Sequence, residues 1–268
     1  MTFEKITYSV DADIATLTLN DPSSMNAAGT DMVSELLKAI QFAGEDARCT
    51  IITGTGRGFS SGANLSSGSM SGTEKTGVQR KTSNDLGRAL DVHYNPFIIA
   101  MRDHPHPIIT AVNGAAAGIG CSIALMGDLI VCSESAYFLQ AFRRIGLVPD
   151  GGSTWLLPRA IGRVRAMEMT LLGDKLPAAK ALEWGMVNRV VPDGDLMTTA
   201  QDLAARLASG PTFALAGTRR LIWDSQEDNL DYALRSERLE QREAGRTQDF
   251  REGLKAFKQK RPAEFTGQ

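Results

Sequence analysis

PIITAVNGAAAGIGCSIALM, residues 107–126, runs twenty positions without a charged side chain, long enough to cross a membrane if it were one helix. Gly114-Ala-Ala-Ala-Gly118 even matches the small-xxx-small spacing of packed membrane helices. The internal order argues otherwise. Pro107 to Val112 is short and β-branched like a buried strand, and Asn113, Gly114, Gly118 and Gly120 then interrupt any helix. From Cys121 the stretch reads as the start of a buried helix. A strand, a glycine loop and a helix account for it, so no membrane partner is expected.

The same alternation extends outward. Residues 3–10 (FEKITYSV) and 13–20 (DIATLTLN) are alternating runs joined at Asp11-Ala12, the pattern of a β-hairpin. Thr30, followed by apolar Met32, Val33, Leu36, Leu37 and Ile40, reads as a helix cap, and CTIIT (49–53) as the next strand. A helix is expected around 83–103, a strand at 107–112, a helix from about 119, and a strand in DLIVCS (128–133). Such alternation predicts an α/β fold. Between Leu65 and Arg80, SSGSMSGTEKTGVQ lacks apolar periodicity and predicts a mobile loop. From about Leu196 the pattern is wholly helical, and residues 231–261 carry 15 charges in 31 positions. The expected division is an α/β core over 1–195 and a helical segment over 196–268. In that segment Phe250, Leu254 and Phe257 form a narrow apolar stripe that needs a partner, either the core or another subunit.

Composition narrows the function classes. The chain has 268 residues, 43% hydrophobic and 22% charged, with 29 basic against 31 acidic side chains. Disordered and collagen-like chains are excluded, and the balanced charge gives no reason to expect nucleic acid as a partner. Cys49, Cys121 and Cys132, an odd number set among apolar neighbours, fit buried thiols in a reducing compartment. MTFEKITYSV has neither a basic n-region nor an apolar h-region, so a cytoplasmic location is expected.

Three glycine-rich elements follow apolar strands: TGTGRGFSSGANL (53–65), NGAAAGIGCSIAL (113–125) and IGLVPDGGSTWLLP (145–158). Glycine after a strand lets backbone N–H groups approach a ligand, and a following helix adds its positive end. Such loops bind anions or oxyanions, or are simply tight turns. Nucleotide motifs fail: neither Gly54-x-Gly56 nor Gly118-x-Gly120 completes a third glycine, and Gly72-TEKT-Gly77 lacks the lysine and hydroxyl of a P-loop. Asp150, in Pro149-Asp150-Gly151-Gly152, is on its own ordinary turn chemistry. His104 and His106 supply two ligands at most with no accompanying cluster, so no metal site is expected. There is no G-x-S-x-G for a serine hydrolase.

These stretches, in order along nearly the whole chain, resemble the crotonase family, also called the enoyl-CoA hydratase/isomerase family. The resemblance is carried by the paired strands at the start, Met25-Asn26-Ala27, FSSGANL (59–65) for F-x-x-G-A-D-L, and AVNGAAAGIG (111–120) for A-x-N-G-x-x-x-G-G-G. It continues through IGLVPDGG (145–152), LLGDKLPAAKALEWGMVNRVV (171–191) and AFKQKRPAEF (256–265). It implies a spiral of ββα repeats followed by a C-terminal helical trimerisation segment, a homo-oligomer that is a trimer or hexamer, and an acyl-CoA thioester substrate. Coenzyme A would enter only as part of that substrate, with no other cofactor.

By the same resemblance, the backbone N–H groups of Ala63 and Ile119 would form an oxyanion hole for the thioester carbonyl. Met25, Ala27, Ser61, Gly62, Asn64, Leu65, Gly118 and Trp155 fall in stretches expected to contact the acyl-CoA. Phe257, Lys258 and Lys260 would reach it from a neighbouring subunit, although a charged tail is otherwise a solvated face. Tyr94 and Phe97 are candidates for an apolar acyl lining. Two positions depart from the pattern: Ile119 replaces a glycine, narrowing or redirecting the pocket, and Asn64 stands where the family often has Asp.

The acid/base positions decide the reaction. Hydratases of the family use two glutamates, at the places held here by Ser122 and Phe142, and water addition needs that carboxylate pair. Asp150 remains, matching the aspartate of dienoyl-CoA isomerases and of the ring-opening isomerase of phenylacetate degradation. One carboxylate suffices for a double-bond shift. Beside Leu147, Val148 and Trp155, it would be partly desolvated and a stronger base. The expectation is an acyl-CoA isomerase with Asp150 as single acid/base. Alternatives are a hydratase using Asp150 and a positioned water, attack by Asp150 as a nucleophile as in an acyl-CoA dehalogenase, and a non-catalytic CoA-ester binding protein.

Overall fold

The computed structural model describes residues 2–64 and 85–268; Leu65 and the 65–80 loop expectation lie outside the described residues. β1 (Ile6–Asp11) and β2 (Ile14–Leu19) pair antiparallel, Ile6 opposite Leu19 and Asp11 opposite Ile14. The turn is Ala12-Asp13, one place beyond the expected joint, with both residues at positive φ (47° and 61°). A two-residue turn that follows the strand twist requires this. α1 (Thr30–Asp46) buries Met32, Val33, Leu36, Ala39, Ile40 and Ala43 on one face. Its N-cap is Gly29, and Thr30, expected as the cap, is the first helical residue.

The chain then repeats one move. β3 (Cys49–Gly54) steps to the short β4 (Gly58–Ser60), followed by α2 (Gly87–Ala89), a π-turn (Leu90–Tyr94) and α3 (Asn95–Arg102). β5 (Ile108–Val112) steps to β6 (Ala115–Ala117) and α4 (Ile119–Leu125). β7 (Leu129–Ser133) steps to β8 (Tyr137–Leu139), a 3₁₀ turn (Ala141–Ile145) and α5 (Ser153–Leu172). β9 (Leu176–Pro177), α6 (Ala178–Glu183) and β10 (Arg189–Val191) close the strands, before α7 (Leu196–Ala208), α8 (Thr212–Asp224), α9 (Leu230–Ala244) and α10 (Gln248–Gln259). The first strand of each step enters a six-stranded sheet, β1-β2-β3-β5-β7-β10, and the second a four-stranded sheet, β4-β6-β8-β9. This is a spiral of ββα repeats. The alanines read as part of a loop therefore form a strand, buried between β4 and β8.

β3, β5 and β7 are mostly apolar and buried almost along their whole length, because both faces of the larger sheet are covered. Ile52, Ile108, Val112 and Ile130 share a core with α1 and α4. Cys49, Ile51, Ile109, Ala111 and Val131 face Leu196, Ala200, Leu203, Ala204 and Ala208 of α7. The expected division at 195/196 thus falls between a sheet and a helix packed on it, because α7 supplies the sheet's second cover. α8 is tied in by Arg219, 6% exposed. Its guanidinium donates to Asp128 Oδ2 at 2.7 Å and to the carbonyls of Met101, Arg102 and His104. No residue of α9 is buried, and the Phe250, Leu254, Phe257 stripe of α10 is exposed (Phe257 82%). No helix among the described residues is long and apolar enough to cross a membrane.

Candidate active site

The first two glycine loops meet face to face. Gly62 has φ +104°, and a Cβ there would lie 3.0 Å from the Ala117 carbonyl oxygen; one on Gly118 (φ +51°) would lie 3.7 Å from Gly62 Cα. Two hydrogen bonds then aim the peptides. The Gly62 carbonyl accepts from the Ala28 N–H at 2.7 Å, so in a planar trans peptide the Ala63 N–H points the opposite way. The Gly118 carbonyl accepts from the N–H groups of Cys121 and Ser122 (3.0 and 3.3 Å), leaving the Ile119 N–H projecting from the N-terminus of α4. Among the described residues neither donor has a backbone acceptor. Two aimed N–H groups, one at a helix N-terminus, suit a carbonyl oxygen that gains negative charge.

Backbone and side-chain bonds lock the surrounding segment. Met25 and Asn26 are left-handed (φ 53° and 55°). Buried Asn26 donates to the carbonyls of Thr55 and Gly58 and accepts from the Asp21 N–H. Ser61 N–H donates to Met25 O at 2.9 Å, and its hydroxyl to Ser24 O. The Tyr94 hydroxyl donates to Ala28 O at 2.8 Å, holding the residue whose N–H orients Gly62. Burial first, then the negative charges of Asp150 and Asp31, push the Tyr94 phenol up to about 12.

The third loop packs on α4. Gly151 (φ +58°) leaves no room for a Cβ, which would collide with Ile119 Cδ1 and come within 2.8 Å of Ser122 Cβ. The Ile119 side chain, 1% exposed, thus points at this loop. It packs against Gly151, the residue after Asp150. The hydroxyls of Ser122 and Ser153 both lie within hydrogen-bond reach of the Asp150 carbonyl. Asp150 Oδ1 is buried without a partner among the described residues, and burial raises the carboxyl from 3.8 to about 6. Val148, expected to desolvate it, is 81% exposed. Phe142, 8% exposed, sets its ring edge 3.7 Å from where a Gly118 Cβ would sit.

The structure thus brings the Gly62–Ala63 and Gly118–Ile119 peptides together and packs the loop that carries Asp150 on α4, with Met25, Ala27, Ser61 and Asn64 in the adjoining segments. Trp155 is directed to α8: its ring stacks on Trp223 at 5.8 Å, with the Arg159 guanidinium over it at 4.1 Å. Phe257 and Lys258 are exposed on α10 and join no part of the site within this chain. Tyr94 and Phe97 are buried, Phe97 in the core. Ser153 and Gln140 escaped sequence reasoning, since only the fold brings them behind Asp150. His104 Nε2 lies 3.0 Å from Thr50 Oγ1, and burial, with Arg219 nearby, lowers the imidazole to about 3.

A model of the enoyl-CoA hydratase/isomerase family matches residues 9–268. The 1,2-epoxyphenylacetyl-CoA isomerase of Escherichia coli K12 is 43% identical over 266 residues, 98% of this chain and 99% of that one. A protein of Rhodobacter capsulatus described as a probable enoyl-CoA hydratase is 39% identical over 267 residues, all of both chains. The crystal structure of an enoyl-CoA hydratase from Bacillus anthracis superposes with a TM-score of 0.90 at 27% identity, covering 99% of this chain and 100% of that one. With a family model matching residues 9–268 and relatives matching end to end, the chain belongs to the enoyl-CoA hydratase/isomerase family.

Proposed function

We propose that the chain is an acyl-CoA isomerase in which Asp150 alone moves the proton. The observation that carries this reading is the part-buried Asp150 carboxylate, whose Oδ1 is enclosed without a partner among the described residues, with Ser122 and Phe142 at the other two acid/base places. Asp150 accepts a proton from a carbon conjugated to the thioester. The bond's electron pair moves onto the thioester oxygen, where the Ala63 and Ile119 N–H groups stabilise the enolate. Asp150 returns the proton to a different carbon, so no atom is gained or lost. The raised carboxyl is basic enough for the first step and acidic enough for the second. The 43% likeness to 1,2-epoxyphenylacetyl-CoA isomerase supports isomerisation and makes ring-bearing thioesters the first substrates to try.

Coenzyme A is part of the substrate, met by the Met25–Ala27 and Ser61–Asn64 segments. The exposed stripe on α10, with exposed Val148, Val164 and Leu171 about the Asp150 loop and α5, supports a trimer or hexamer. Three buried free thiols, each pushed up to about 12 by burial, support a reducing, cytoplasmic location. Hydration through Asp150 and a positioned water is the second reading, favoured by the likeness to the Rhodobacter protein.

The test is mass-resolved product analysis in D₂O with 2-enoyl, 3-enoyl and ring-bearing acyl-CoA thioesters, for wild type beside Asp150→Ala. Isomerised, deuterated product that disappears in the variant is expected. A product heavier by one water would replace the isomerase reading with the hydratase one. Tight binding without turnover of any thioester would mark a CoA-ester binding protein.

A further inference from the structure

Behind Asp150 lies a buried polar network that the proton transfer itself does not use, with Gln140 Oε1 left without a partner among the described residues. Ser122, Ser153 and Gln140 are all 0% exposed. The Asp150 main-chain carbonyl is 3.0 Å from Ser122 Oγ and 2.9 Å from Ser153 Oγ; the two hydroxyls are 2.6 Å apart, and Gln140 Nε2 donates to Ser153 Oγ at 3.2 Å. Polar groups buried at this depth are costly unless satisfied, and here two hydroxyls gather on one carbonyl. That carbonyl belongs to the residue that moves the proton.

We infer that Ser122, Ser153 and Gln140 are positioning residues for Asp150, joining the proton shuttle to the helix that supplies the oxyanion donor. This rests on the isomerase reading. The loop needs such a hold because Gly151 and Gly152, both at positive φ (58° and 82°), give the backbone wide freedom when unrestrained. α4 provides it on one face. Ile119 and Ser122, three residues apart and therefore neighbours on a helix, meet Gly151 with Cδ1 and Cβ, while the Ser122 hydroxyl reaches the preceding carbonyl. The helix that begins at the Ile119 N–H therefore also fixes where Asp150 stands. The place where family hydratases carry a glutamate is occupied here by an anchor for a different carboxylate. The network also packs the loop tightly enough to keep the carboxylate raised. Tyr94, from the π-turn, is the other titratable group coupled to Asp150 among the described residues, and it stays neutral throughout the working range.

The experiment compares wild type, Ser122→Cys, Ser122→Ala, Ser153→Ala, the double alanine variant and Asp150→Asn. It measures kcat and KM for deuterium exchange and isomerisation of a 3-enoyl-CoA across pH 4–9, with folding checked by circular dichroism. Each alanine variant is expected to lose about tenfold in kcat with KM within about twofold, because a displaced base slows chemistry without weakening substrate binding. The double variant should lose less than the product of the singles, since both hydroxyls act through one carbonyl. The acid limb should move from about 6 toward lower pH as solvent reaches the carboxylate, a change that mere loss of stability would not produce. Ser122→Cys keeps the packing and weakens the donor, so it should fold and show the same shift to a smaller degree. Wild-type kcat and an unmoved limb in Ser122→Cys and in whichever alanine variant folds would overturn the inference. Retained activity in Asp150→Asn would instead remove the isomerase reading itself.

Discussion

The two halves of the site lie against each other and obey opposite rules. Around Gly62 and Gly118 the chemistry belongs to main-chain N–H groups, and what must be preserved is backbone conformation. Glycine is needed at those two positions, whereas Ala63 and Ile119 contribute amides that any non-proline residue possesses. Around Asp150 the chemistry belongs to one side chain, and the backbone serves to hold it. Substitution should therefore act through φ and ψ in the first half and through functional group and burial in the second.

The largest effect should come from the second half. Asp150→Ala is expected to lower kcat about 10²–10⁴-fold while leaving acyl-CoA binding, measured by titration calorimetry, near the wild-type value. In the wild type kcat/KM should fall about tenfold per pH unit below about 6, because the base must be ionised and burial has raised it to that value. A limb near pH 4 would mean the carboxylate is solvated.

In the first half, Gly118→Ala tests conformation without crowding. Its φ of 51° and ψ of −126° suit glycine alone, yet the nearest atoms stand 3.7 Å from the added Cβ. Turning the Ile119 N–H away should lower kcat about 10²-fold, the usual consequence of removing one such donor. Ile119→Val keeps the amide, and kcat should stay within about threefold. If both variants behaved alike, the division between backbone and side-chain rules would fail.

The smallest effect is on stability. A carboxyl raised in the folded chain binds its proton more tightly there than when unfolded, so folding weakens as pH rises from the unfolded value of 3.8 through about 6. Asp150→Asn removes that burden. It should stabilise the protein by roughly 1–3 kcal/mol above pH 6, with the gain shrinking below pH 5, as read from denaturant midpoints at pH 8 and 4.5.

The larger sheet was legible because β3, β5 and β7 are continuous apolar runs and β1–β2 alternates, both patterns long enough to carry a period. The smaller sheet was not. Gly58–Ser60, Ala115–Ala117 and Tyr137–Leu139 are three residues each, too short to show a period, and the alanines have no strand preference. Asp150 and the glycines could be found because their motifs are contiguous in the chain. Their supports could not: Ser153 and Ser122 lie inside the glycine-rich stretches, but only the fold sets their hydroxyls at the Asp150 carbonyl and brings Gln140 to Ser153. The partners of Trp155 were not legible either, because adjacency in sequence hides direction, and the helix turns its ring onto Trp223 of α8.

Arg219 divides the C-terminal helices by how they come apart. Opening α8 would strip the Arg219 guanidinium from Asp128 and from three carbonyls at once, leaving Asp128 with the Ile108 N–H, a loss comparable to breaking a buried ion pair, about 3–5 kcal/mol. Among the described residues α9 is tied to α8 by the part-exposed Arg220–Glu240 pair, and neither α9 nor α10 carries a buried guanidinium. In amide hydrogen exchange on the isolated chain, α8 should therefore exchange with the sheet, in the slowest class, while α9 and α10 exchange far sooner, making the loop before Leu230 the seam at which native-state opening begins.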